Sequence, residues 1–143
     1  MLLNISEGFS AKKELIDTTV GKPFNLEERQ KLKNTSLSGL LITAASIDIY
    51  NLLVLNEGIS YCTVELRSNG VIISFRAKTD SFALLIPFYK MKIYKGKAEE
   101  YSFYKDNYFI KIQAKAKEPE IHQFIRKIKD LKIDNSNPRI EDL

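Results

Sequence analysis

Two alternating apolar runs on either side of Ser68-Asn69-Gly70 limit this chain's fold more than any other feature. In ISYCTVELR, Cys62, Val64 and Leu66 recur at every second position, with Tyr61, Thr63, Glu65 and Arg67 between them. After the turn, VIISFRA offers Val71, Ile73 and Phe75 to one side. A period of two puts such residues on one face of a strand. Asn-Gly between two such runs signals a hairpin, because a type I′ turn needs positive φ at both central positions. The spacing predicts a tight antiparallel pair.

The neighbouring segments extend that pattern. LSGLLITAASIDIYNLLVLN begins near Leu37, with Ile47 and Ile49 alternating with Asp48 and Tyr50. It reads as a long first strand, broken or bulged near residues 44–46 or at Asn51, and a buried helix accounts for part of the same run. Asn56-Glu57-Gly58 signals a turn. FALLIPFY follows a loop at residues 78–81 and has the look of a strand buried on both faces, with Pro87 marking an edge or bend. In KMKIYKGK, Met91 and Ile93 point one way, and Lys90, Lys92 and Tyr94 the other, as on a lysine-guarded edge. EYSFY and NYFIKIQA form a second hairpin across Lys105-Asp106-Asn107. This makes about seven strands, and consecutive hairpins favour antiparallel pairing.

A helix closes the series. Over residues 118–132, Ile121, Phe124, Ile125, Ile128 and Leu131 form one apolar stripe at helical spacing. His122, Arg126, Lys127, Lys129 and Lys132 project mostly away from it, and Pro119 suits the first turn. A short amphipathic helix persists only on an apolar support, so it is expected to lie on the sheet. Residues 1–36 read as an N-terminal helical extension. One helix starts near Ser10, with Leu15 and Ile16 as anchors, and breaks at Gly21-Lys22-Pro23. A second starts from a capping box of Asn25 and Glu28. Residues 37–132 form the main domain, and 133–143 a flexible polar tail.

Most chemistries lack their residues. With one histidine, His122, and one cysteine, Cys62, a His/Cys zinc site has too few ligands. There is no phosphate-binding G-x-x-x-x-G-K-[ST], no dinucleotide G-x-G-x-x-G after a strand, no G-x-S-x-G and no EF-hand spacing. No catalytic, cofactor-binding or metal-binding residue is therefore assigned, and the chain is read as not an enzyme. Cys62 lies among core positions, and Glu99-Glu100 form an adjacent, solvated pair. The first residues lack a basic-then-apolar leader pattern and no run is long enough to span a bilayer, so a cytoplasmic location is expected. Lysine and arginine number 22 against 18 acidic residues, a net charge of +4 that permits attraction to anions. Lys90, Lys92, Lys95 and Lys97 concentrate that charge around Tyr94 and are the candidate anionic-surface residues. Phe88, Tyr89 and Tyr104 are candidates for exposed aromatics on a partner surface.

The order of seven strands and a closing helix resembles the pleckstrin-homology (PH-like) superfold, and FALLIPFYKMKIYKGKAEEYSFYKDNYFIKIQAKAKEPEIHQFIRKIKDLK is similar to the C-terminal half of uncharacterised bacterial PH-like proteins. The resemblance implies an α+β, mainly β fold: an orthogonal sandwich or partly open barrel capped by the helix. The basic motif by which phosphoinositide-binding members hold their ligand is missing, since Glu65 precedes Arg67, and Phe124 stands where classical members carry tryptophan. The expected function is a noncatalytic binding or scaffolding module for a protein partner or self-association. The alternative is an anionic-surface binder for acidic lipid or nucleic acid.

Overall fold

A computed structural model describes residues 1–96 and 99–136. Its elements in chain order are β1 (Leu2–Asn4), α1 (Lys13–Val20), α2 (Leu26–Leu32), β2 (Ser36–Ala45), α3 (Ile47–Leu53), β3 (Tyr61–Arg67), β4 (Gly70–Ala77), β5 (Asp80–Pro87), β6 (Lys92–Lys95), β7 (Glu100–Lys105), β8 (Tyr108–Gln113) and α4 (Pro119–Ser136). The fold is α+β and mainly β. Among the described residues, eight strands, all paired antiparallel, make one open sheet in the order β1-β5-β4-β3-β2-β8-β7-β6. Lys97 and residues 137–143, most of the expected tail, lie outside the described residues.

The β3–β4 hairpin forms in the expected register, with Cys62 opposite Phe75 and Val64 opposite Ile73. Its turn differs from the expectation. Arg67 pairs with Gly70, so Ser68 and Asn69 are the central residues, and neither they nor Gly70 has positive φ. Gly70 is needed for another reason. A Cβ there would run into the Ile86 carbonyl oxygen and lie 2.9 Å from both Pro87 Cα and Val20 Cγ1. The glycine thus lets β4 approach β5 and α1 closely.

β2 is the strand that joins the two halves of the sheet. Its first part pairs with β3 up to Leu41, and its second with β8 from Ile42 to Ala45, with a register shift in each ladder. The long strand expected from residue 37 onward ends at Ala45, and residues 47–53 are helical instead. Ile47 and Ile49 alternate over too few positions to separate a strand from a helix. Burial shows the helical spacing: Ile49 is buried and Leu52 and Leu53 partly so, while Ile47 and Tyr50 face outward. At the junction, Ser46 Oγ accepts the Phe109 N–H at 3.0 Å, so the serine ties the end of β2 to β8 rather than capping α3.

Packing occurs on both faces of the β4–β5 region. The main core places Val64, Leu66, Ile73, Leu84, Phe103 and Ile110 under α4, which contributes Ile121, Phe124, Ile125 and Ile128, with Leu131 partly buried beside them. Each of these helix side chains adds about 1.5–3 kcal/mol of burial. A second core covers the opposite face, where Ile5, Ile16 and Val20 pack on Ile72, Ala83 and Leu85. Of the two anchors expected in α1, Ile16 is buried and Leu15 is exposed. β1 joins the edge of β5, with Leu2 opposite Leu84. The capping box of α2 forms as expected: Asn25 Oδ1 accepts the Glu28 N–H at 2.8 Å, and Glu28 Oε1 accepts the Asn25 N–H at 3.0 Å. Lys127 of α4 donates to the carbonyls of Leu32 at 2.6 Å and Asn34 at 2.8 Å, satisfying backbone acceptors just past α2.

Candidate binding edge

The site is built around β6, the last strand in the sheet order. The segment KMKIYK alternates, and the structure uses the alternation: Met91 is buried and Ile93 partly so, whereas Lys92 and Tyr94 are exposed. One side of β6 pairs with β7, Ile93 opposite Phe103 and Tyr94 opposite Ser102. Among the described residues no strand pairs its other side.

A cleft opens on each face of this strand. The inner cleft, about 530 Å³, lies beside α4 at the Lys95 end of β6, where Gly96, Tyr101 of β7 and Ala114 also line it. Its cations are Lys95, Arg126 and Lys129, its acid is Glu99, and Ala114 and Ile125 contribute apolar wall. The outer cleft, about 550 Å³, collects Lys90, Lys92 and Lys132 with Tyr89, Tyr94 and Tyr104. Asp106 is its acid, with a carboxylate oxygen 3.6 Å from Lys90 Nζ. The aromatic rings continue across the outer face. Tyr94 meets Tyr104 edge-on at 5.5 Å between centroids, Tyr104 meets Phe109 at 5.4 Å, and Lys111 Nζ stands 5.8 Å from the Phe109 ring centre. Such contacts hold exposed rings in place.

Of the candidate lysines, the structure therefore brings Lys90 and Lys92 together and places Lys95 on the opposite face; Lys97 is not among the described residues. Lys105 is buried and takes no part in the surface. Arg126, Lys129 and Lys132 complete the clefts. Their sequence signal was the basic side of the closing helix, but nothing local shows which strand that side meets. Of the aromatics expected at the surface, Tyr89 is 79% exposed and Tyr104 half-buried, whereas Phe88 belongs to the core.

His122 also borders the inner cleft. Its Nε2 lies 3.0 Å from the Lys115 carbonyl oxygen, and its Nδ1 2.7 Å from the Tyr101 hydroxyl. A carbonyl only accepts, so the neutral ring carries its proton on Nε2 and takes the Tyr101 O–H at Nδ1. Both nitrogens are committed to bonds within the fold, and the ring braces α4 against β7. Cys62 is likewise structural: burial pushes its thiol up to about 12, out of the range of a reactive thiolate.

Arg67, in the strand where a phosphoinositide motif would fall, is buried. It pairs with Glu65 through Nε, and its Nη1 donates to Asp17 Oδ1 at 3.2 Å and to the Gly21 carbonyl at 3.0 Å. The guanidinium fastens α1 to β3 and is not offered to a ligand. A hydrogen bond from Lys13, with the Arg67 charge adding to it, holds the Asp17 carboxyl below its usual range.

A separate apolar surface surrounds α3, where Ile47, Tyr50, Val54 and Ile59 are exposed. Among the described residues no group of His, Cys, Asp and Glu could hold a metal ion, and no helix is long and apolar enough to cross a membrane. No protein-family model, curated protein or solved structure matches the chain.

Proposed function

We propose that the chain is a noncatalytic PH-like binding module, working in the cytoplasm, that receives an extended segment of a protein partner along β6. The observation that carries this reading is an end strand whose outer backbone edge no strand among the described residues pairs, with a cleft on each face. Strand addition gives affinity through main-chain hydrogen bonds, and flanking clefts give selectivity through alternate side chains. Support for PH-like kinship over residues 37–132 comes from the strand order. β2 to β5 follow one another as antiparallel neighbours, β8 returns beside β2, and α4 closes the core. Self-association through β6 is disfavoured, because lysines on both of its faces repel a second copy. The alternative, an anionic lipid or nucleic-acid surface, draws on the same lysines.

The test is selection of a random displayed peptide library on the full chain, followed by amide hydrogen exchange with the enriched peptides. Slowed exchange at residues 92–95 is expected. No enrichment, or protection confined to other strands, overturns the proposal.

A further inference from the structure

We propose that the occupant of the β6 edge is an acidic peptide whose alternate side chains are read by the two clefts. This rests on the edge-docking reading above and adds the chemistry of the ligand. A strand laid against β6 continues the sheet, so its successive side chains point to opposite faces. One set enters the inner cleft, where Lys95, Arg126 and Lys129 outnumber Glu99. The other set enters the outer cleft, where Lys90, Lys92 and Lys132 outnumber Asp106. Both sets therefore meet positive potential. Arg126 adds a planar fork suited to a carboxylate, and the apolar wall of Ala114 and Ile125 lowers the local dielectric. The outer tyrosines accept an aromatic or aliphatic side chain between the acids. The charges that keep a second copy off this edge thus select a partner of opposite sign.

The placement of the cations separates a peptide from the other anions. They border β6 on both faces, Lys92 and Lys95 from the strand itself and Arg126, Lys129 and Lys132 from α4, whereas a bilayer surface lies against one face. A nucleic acid brings phosphates but no peptide backbone to pair with the open edge.

The probes are a fluorescein-labelled peptide of alternating Glu and Tyr, its Gln counterpart, labelled oligothymidylate, and phosphatidylserine–phosphatidylcholine vesicles, each titrated against the full chain. The Glu peptide is expected to bind at least about ten-fold more tightly than the Gln peptide, and to weaken with salt. Arg126→Glu with Lys129→Glu is expected to weaken it by about ten-fold or more, and the milder Arg126→Gln with Lys129→Gln by less in the same direction. Both side chains are exposed, so the fold is retained. Arg76→Glu with Lys78→Glu, both exposed at the β4–β5 turn and separated from β6 by four strands of the sheet, changes the net charge equally at a distance and is expected to alter affinity less than about two-fold. Equal binding of the Gln peptide, equal loss in both charge-reversed pairs, or tighter binding of oligothymidylate or vesicles overturns the proposal. The two readings fail separately. Charge-dependent peptide binding without slowed exchange at residues 92–95 removes edge docking. Library-selected peptides that protect those amides, yet are unaffected by reversal at Arg126 and Lys129, remove only the acidic preference.

Discussion

The two halves of this sheet are built from different strands: near-continuous apolar runs in β4 and β5, and alternating ones in β6 and β8. At β4 and β5 both faces are covered: Val71, Ile72, Ile73 and Ala83, Leu84, Leu85, Ile86 are all fully buried, and β1 occupies the outer edge. At β6 to β8 only the inner face is covered by α4. The outer face carries Tyr94, Tyr104, Phe109 and Lys111, and among the described residues no strand pairs the edge. The residues 1–20 make the difference, since they supply the second layer for one half and not for the other. Stability is therefore concentrated where substitution is costly, and the proposed recognition falls where side chains are exposed and replaceable.

Substitutions rank the two halves. Ile72→Ala removes the floor beneath Ile16 and Val20, and is expected to cost about 2–5 kcal/mol in urea unfolding. A cost below about 1 kcal/mol would mean that the second layer contributes little. Gly70→Ala forces a methyl group against the backbone of Ile86 and Pro87, with an expected loss of about 1–3 kcal/mol. Gly58→Ala meets open space and has no positive φ to oppose it, so it is the control; an equal loss there would refute the close-approach account. A smaller effect appears on acidification. Because the Asp17 carboxyl is held low, its stabilising contribution is present above the ordinary carboxylate range and fades as pH falls through the lowered value. Asp17→Asn is expected to flatten that part of the pH–stability curve, and an unchanged curve counts against the Lys13 and Arg67 contacts. Smallest is Tyr94→Ala on the open face, expected within about 0.5 kcal/mol of the parent. A large loss there would erase the contrast between the halves.

What the sequence revealed was local. The α4 stripe, the Asn25–Glu28 box and the two hairpins each rest on residues a few positions apart, and each formed. β1 escaped notice because Leu2, Leu3 and Asn4 are too few for a period, and their partner Leu84 lies far along the chain. α3 was read first as strand, with a buried helix left open for part of the run, because four alternating residues satisfy both periods, and the contacts beneath Ile49 decide between them. Gly70 was assigned to the turn for its torsional freedom, when its missing side chain is what the neighbouring strand requires. The lysines of β6 were visible as a cluster. The clefts were not, because Arg126, Lys129 and Lys132 reach β6 only through the tertiary fold.

The divided loyalty of β2 has a consequence for assembly. Its latter part waits for β8, so Ile42 finds Ile112 only after nearly the whole intervening chain has been made. Such distant pairings are slow to form. During synthesis the early hairpins stand with one flank bare until β8 emerges, and that interval, rather than the finished molecule, is when a chaperone has most to cover.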